Sequence, residues 1–185
     1  MSFDGPGQGE TEAELPICAE WEGVVAAVLE SLEAVGTLDL DRVGVTGVSL
    51  GGYYAARAAT GDRRLRAVAS IGGCYSLGDS WSQLPLLSRQ AFVSHAHCRD
   101  EESGAALAAL MTMRGAPEPV RCPFLVVHGG QDRLFSEDQA RRLAACAGDR
   151  GTLVIEPRGD HVCHNLAYRV RPLVADWMAE RLSEV

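Results

Sequence analysis

The chain has 185 residues, a net charge of -8 and a pI near 5.1. That length accommodates one domain with a real core, and 46% apolar with 23% charged residues describes a chain that folds rather than stays disordered. The acidic balance leaves no electrostatic footprint for phosphate backbones or anionic lipid, so neither nucleic acid nor membrane is an expected partner. No apolar run approaches the length of a membrane span and no signal peptide is readable, which makes the cytoplasm the expected address. Six cysteines lie far apart without a CxxC pair, the usage of reduced, mostly buried thiols rather than of a disulfide framework.

Residues 1–10 are too rich in glycine for a helix and read as the loop that follows a strand. They lack the lysine and the full preceding strand that a phosphate-binding loop needs. Over residues 16–35, Ile17, Trp21, Val24, Val25, Val28, Leu29 and Leu32 recur at three- and four-residue steps, which predicts an amphipathic helix ending before Gly36. The glutamates between them read as its solvated face. The next stretch, residues 43–52, runs an apolar strand into a glycine-flanked serine and then into a helix. That is the pattern of a nucleophile elbow, in which Ser49 takes a strained conformation and Gly47 and Gly51 permit close contact between the residues two before and two after it.

A helix rich in alanine follows over residues 50–60, with Gly61 as its stop, and residues 65–71 read as a buried strand. The alternation of strand and helix predicts a parallel sheet. Residues from about 74 to 122 form an excursion with a helical pattern over 101–113, and a departure this long between neighbouring strands reads as a lid over the serine. Leu84, Leu86, Leu87, Phe92 and Val93 suit either an apolar lid or a segment packed on the core. The sheet resumes over residues 124–127 and leads to His128, Asp132 and a helix that Ser136 is placed to cap. A last strand over residues 152–155 leads to His161, and a closing helix carries Leu173, Val174, Trp177, Met178 and Leu182 on one face.

The order serine, aspartate, histidine, each after a separate strand, is the order of α/β hydrolases and differs from those of other serine-protease folds. Loops at the carboxyl edge of a parallel sheet can bring such distant residues together. Ser49 is then the expected nucleophile, His161 the base and Asp132 the group that orients it, with the backbone N–H of Leu50 as the first oxyanion donor. Asp160 is a weaker acid candidate, since adjacent side chains usually point apart. His128 and His164 read as structural. The clusters His95, His97, Cys98 and His161, Cys163, His164 lack the paired spacing of a zinc motif, so no metal and no cofactor is expected.

The segments Phe3 to Glu10, Ser49 to Ala59 and Asp160 to Asn165 together resemble the 2,6-dihydroxypseudooxynicotine hydrolase group. That branch of the α/β hydrolases also includes fungal heptaketide-shortening pigment hydrolases and FrsA-like esterases. The resemblance spans nearly the whole chain. It implies a small-molecule ketone or ester substrate, cleaved at a carbon-carbon bond next to the ketone or at the ester, with Ser49, Asp132 and His161 matching the family's triad. It also implies a structural arginine at Arg57.

Members of that group place several strands and a helical cap before the glycine-rich loop, whereas this chain starts inside that loop's strand. The expectation is a partial, amino-terminally truncated α/β-hydrolase domain over residues 1–185, mostly parallel, with helices on both faces. In the parent fold the loop after the third strand gives the second oxyanion amide. Its loss costs about 2.7–4 kcal/mol of transition-state stabilisation. The strand over residues 43–48 also becomes a sheet edge, which predicts a homodimer through that edge, aggregation, or a missing amino-terminal portion.

Overall fold

The computed structural model describes residues 1–183. Its centre is a four-stranded parallel sheet of β1 (Val43–Val48), β2 (Leu65–Ile71), β3 (Phe124–Gly129) and β4 (Gly151–Glu156) in the order β1-β2-β3-β4. β2 and β3 are near-continuous apolar runs because helices cover both faces. Side chains alternate between two layers. Val68, Phe124 and Val126 pack with α1 (Glu22–Glu33), α2 (Leu50–Gly61) and α6 (Glu137–Ala145) on one face. Ala69, Ile71, Leu125 and Val127 pack with Val170 and Val174 of α7 (Ala167–Ser183) on the other. Among the described residues no helix is long and apolar enough to cross a membrane.

The excursion between β2 and β3 contains α3 (Leu77–Ser80), α4 (Leu86–His95) and α5 (Glu101–Leu110). Asp100 and Ser103 cap α5 reciprocally: the Ser103 N–H donates to Asp100 Oδ1 at 2.8 Å, and the Asp100 N–H to Ser103 Oγ at 3.1 Å. The excursion is tied back to the body by Gln139 of α6, whose Oε1 accepts the N–H groups of Tyr75 and Ser76, both at 2.9 Å.

Several local expectations change. The first helix starts at Glu22, not Pro16, because residues 17–21 run outside it. Ile17 donates its N–H to His95 O at 3.0 Å, and the Trp21 indole stacks on Tyr54 with centroids 3.8 Å apart. Both apolar side chains are core, as their spacing suggests, but tertiary contacts rather than a helix bury them. Glu22 is not on the solvated face, since it pairs with Arg57 at 2.6 Å. Gly61 is the last residue of α2 but makes no left-handed turn; its lack of a side chain serves close approach to α1, since a Cβ there would lie 2.5 Å from Glu22 Cβ. α5 stops at Leu110, after which Thr112 bridges to Ser76. Ser136 stands at the N-cap of α6 without a side-chain cap bond.

Candidate active site

The elbow is built by backbone constraint. Ser49, between β1 and α2, has φ 56° and ψ -124°, a strained combination for a residue with a side chain. Its N–H is held by Ile71 O at 2.8 Å, so the ladder between β1 and β2 continues into the turn. A Cβ at position 47 would lie 1.8 Å from Gly51 O, which makes Gly47 obligatory. The partner glycine differs from the expected one. A Cβ at Gly51 meets nothing within 4 Å, whereas one at Gly52 would lie 2.3 Å from Ser70 Oγ and 2.9 Å from Gly73 Cα. The helix of the elbow, not its turn, therefore imposes the second glycine.

The same edge of the sheet presents the other two residues. Gly72 donates to Val127 O and Gly130 to Glu156 O, each at 2.8 Å, which sets the loops after β2, β3 and β4 in register. The aspartate and histidine loops also touch, because Gly129 allows Asp160 O an approach that would leave a Cβ only 2.0 Å away. His161 Nε2 lies 2.7 Å from Ser49 Oγ, and His161 Nδ1 lies 2.8 Å from Asp132 Oδ2. The second carboxylate oxygen, Asp132 Oδ1, accepts from the N–H of Leu134 at 2.8 Å and of Phe135 at 3.1 Å. Burial raises the Asp132 pKa, but the hydrogen bonds from His161, Leu134 and Phe135 outweigh it and hold the carboxyl below its ordinary value. The Phe135 ring meets the imidazole edge-on at 5.7 Å.

Each rival residue has a separate place. Asp160 and Asn165 brace their own loop by bonds of 3.0 and 3.2 Å. His128 is buried with Nδ1 4.0 Å from Asp132 Oδ2, too far for a hydrogen bond. Burial pushes the His128 pKa down against the pull of Asp132, so its imidazole is favoured as neutral and leaves the aspartate charge to His161. His95 and His97 clasp the amino-terminal loop: His95 Nδ1 is 2.9 Å from Glu12 Oε2 and His97 Nε2 is 2.7 Å from Glu12 O. All six cysteines are free thiols, and burial pushes Cys74 up to about 12 and Cys163 to about 11.

A cavity of about 230 Å³ adjoins Ser49 and Leu50, and Ile17, Leu77, Leu84, Phe92, Leu134 and Phe135 make most of its wall apolar. Of the excursion's expected lid residues Leu84 and Phe92 face it, together with Leu77, Ser88, Ala91 and His95 of the same excursion. Leu86 and Leu87 point to solvent instead, and Val93 packs toward Gly104. Leu50, as the first residue of α2, has no acceptor for its N–H within that helix. Three features were not legible in the sequence: the Leu134 and Phe135 amides on Asp132, the approach of Gln8 to this cavity, and the positive φ of Val162 and Cys163 (57° and 53°). The last is costly for a β-branched residue and places backbone strain beside His161 as well as at Ser49. Only the glycine-rich character of residues 5–9 hinted at the second.

The parallel sheet, the elbow and the order of these loops define an α/β-hydrolase fold. The chain belongs to the prolyl oligopeptidase family, whose model matches residues 22–184. It is 35% identical over 183 residues to the 2,6-dihydropseudooxynicotine hydrolase of Paenarthrobacter nicotinovorans, a match covering 98% of this chain and 49% of that protein. It is 45% identical over 85 residues to the alpha/beta hydrolase psoB of Aspergillus fumigatus, covering 42% of this chain and 19% of the relative. The crystal structure of the 2,6-dihydroxy-pseudo-oxynicotine hydrolase superposes with a TM-score of 0.90 at 32% identity, over 98% of this chain and 52% of that one. A meta-cleavage product hydrolase from Pseudomonas fluorescens shares the fold, with a TM-score of 0.69 at 18% identity over 96% of this chain and 78% of that one. The chain spans about half the length of the first of these relatives.

Proposed function

We propose that the chain is a serine hydrolase that cleaves a small organic substrate, at a carbon-carbon bond next to a ketone or at an ester. The observation that carries this reading is the unbroken run of hydrogen bonds from Ser49 Oγ through His161 to Asp132, at 2.7 and 2.8 Å, beside an apolar cavity. Ser49 Oγ attacks the carbonyl carbon while its proton passes to His161 Nε2, and Asp132 steadies the imidazolium through Nδ1. The Leu50 N–H faces the oxygen that gains charge. Collapse breaks the bond to the leaving group, which takes the proton from His161 and departs as a protonated carbon, a phenol or an alcohol. Water then gives a proton to His161 Nε2 as it adds to the acyl carbon, and collapse breaks the bond to Ser49 Oγ, which takes that proton back from His161 as the acid is released. The names of the relatives, which are hydrolases, support the class. A fluorophosphonate is expected to add to the peptide that contains Ser49, as read by mass spectrometry, and an unmodified Ser49 after prolonged exposure would sink the reading.

The open edge of the sheet favours a second reading, in which the chain is an inactive relative that pairs with another chain. Among the described residues β1 pairs with β2 alone, and Val48 is 51% exposed. A groove of about 290 Å³ follows this edge, between Val45 to Val48 and the amino-terminal loop. Edges of this kind recruit further strands. Light scattering is expected to show a dimer that Val48→Lys converts to a monomer, and a monomeric parent chain counts against pairing with a second copy.

A further inference from the structure

His128, at the end of β3, is a buried titratable side chain beside the triad that the proposed mechanism does not use. We infer that it is a positioning residue that competes with His161 for Asp132, an inference that rests on the proposed function for what the triad does. With Nδ1 bare, His128 leaves the carboxylate to His161. With Nδ1 protonated, it draws Asp132 Oδ2 away from His161 and takes the triad apart.

Asp132 Oδ2 stands between two imidazoles, 2.8 Å from His161 Nδ1 and 4.0 Å from His128 Nδ1. The His128 side chain is 1% exposed and that of Asp132 is 0% exposed, so no solvent screens one from the other. Among the described residues His128 Nδ1 is a buried atom without a hydrogen-bond partner. The ring does bond the Phe135 backbone, in the sense that favours a proton on the imidazole, which makes the Phe135 carbonyl the acceptor. Since Nδ1 is unpartnered, that bond falls to Nε2, and the single proton of the neutral ring sits there. The Nδ1 lone pair then faces a carboxylate oxygen. Two acceptors cannot bond, which accounts for the 4.0 Å gap.

A proton on Nδ1 replaces that opposition with a charge-assisted bond, which closes to about 2.7–2.9 Å. The carboxylate has a pivot for the movement, because Oδ1 stays on the N–H groups of Leu134 and Phe135 while Oδ2 swings. His161 loses the contest because its side chain is 25% exposed, so water supports its charge, whereas a charged His128 has no water to turn to. The other charged groups around His128 are few. Glu137 at the first turn of α6 favours the proton and His161 opposes it. Glu156, at the end of β4, is committed to Arg169 at 3.0 Å, and the β2 residues registered with β3, Val68 to Ile71, carry no charge. Burial outweighs the two carboxylates, so the ring is neutral at neutral pH and takes its proton only below the ordinary imidazole range.

The test is histidine side-chain NMR on the full chain with nitrogen-15-labelled histidine. At neutral pH the His128 ring is expected to carry its proton on Nε2 alone, and His161 Nδ1–H to give the far-downfield signal of a proton bound to a carboxylate. On acidification His128 Nδ1 is expected to gain a proton, and the downfield His161 signal to disappear over the same pH interval. In His128→Phe, which fills the site with a ring that has no nitrogen, that signal should persist until circular dichroism reports unfolding. A parent chain in which the His161 signal survives protonation of His128, or in which His128 takes no proton before unfolding, overturns the assignment without recourse to the variant. Fluorophosphonate labelling of Ser49 gives a second readout. Where both imidazoles carry a proton, the parent rate should fall on the order of a hundredfold per pH unit and that of His128→Phe about tenfold, each relative to its own plateau. Equal steepness in the two proteins overturns the inference. If Ser49 never reacts while the His128 and His161 signals change together, the reading of Ser49 as nucleophile falls and the competition for Asp132 stands.

Discussion

Ser49→Ala is expected to lower turnover on the order of a millionfold, the scale seen when a triad nucleophile or base is removed. Asp132→Asn is expected to cost roughly ten-thousandfold. The reason for the second figure lies in how Asp132 is held. Its Oδ1 accepts two backbone N–H groups, from Leu134 at 2.8 Å and Phe135 at 3.1 Å, and its Oδ2 meets His161 Nδ1 at 2.8 Å. In an asparagine the two backbone donors claim the single oxygen, so the NH2 group is turned toward His161. That group can only donate, which leaves Nδ1 unprotonated and places the proton on Nε2, facing Ser49 Oγ. The imidazole then has no lone pair with which to take the serine proton. Circular dichroism should be unchanged in Asp132→Asn, because the carboxamide preserves shape and both backbone bonds. Turnover within about tenfold of the parent in Asp132→Asn would remove Asp132 from the proposed mechanism, since loss of this member alone costs far more.

The elements that were readable in the sequence are those in which local pattern and tertiary burial agree. β2 has the residue range its apolar run announces, because a parallel strand covered on both faces has no polar side to blur its ends. That Ser49, Asp132 and His161 come together was legible because each follows a strand, and the parallel sheet sends all such loops to one edge. The differences have two physical causes: periodicity reports burial and not backbone conformation, and contacts with residues remote in sequence leave no local pattern. Ile17 and Trp21 continue the helical spacing of α1, yet they are buried by His95 and Tyr54 while the chain is extended or turning. Gly52, not Gly51, bears the packing of the elbow, since the obstacle is Ser70 and Gly73 on β2 and its loop, remote in sequence. The amides that hold Asp132 left no mark, because any residue at positions 134 and 135 supplies an N–H.

Glu22 differs for another reason, since its place in α1 is helical as expected but a partner remote in sequence withdraws it from solvent, and that pairing gives the largest expected effect on stability. Arg57 lies on the inner side of α2, its side chain 10% exposed, and donates to Glu22 Oε1 of α1 at 2.6 Å and to Thr112 O at 3.0 Å. One guanidinium therefore joins the elbow helix to α1 and to the return of the excursion from α5. Arg57→Ala leaves the Glu22 carboxylate, 16% exposed, without its cation and Thr112 O without its donor. Breaking a buried pair in this way costs about 3–5 kcal/mol, and partial exposure of both groups puts the expected loss near the lower end, about 3 kcal/mol. For a domain of this size that corresponds to a melting temperature lower by roughly 6–12 °C. Arg57→Met with Glu22→Leu removes both charges while keeping apolar volume, so it should recover much of the loss. Arg57→Lys keeps the charge but cannot reach both acceptors from one planar group, and should fall between the two. Thermal unfolding of the four proteins at neutral pH checks the series. If Arg57→Ala melts within about 2 °C of the parent, a loss below 1 kcal/mol on this scale, the pair is a solvated contact and not a joint between α1, α2 and the excursion.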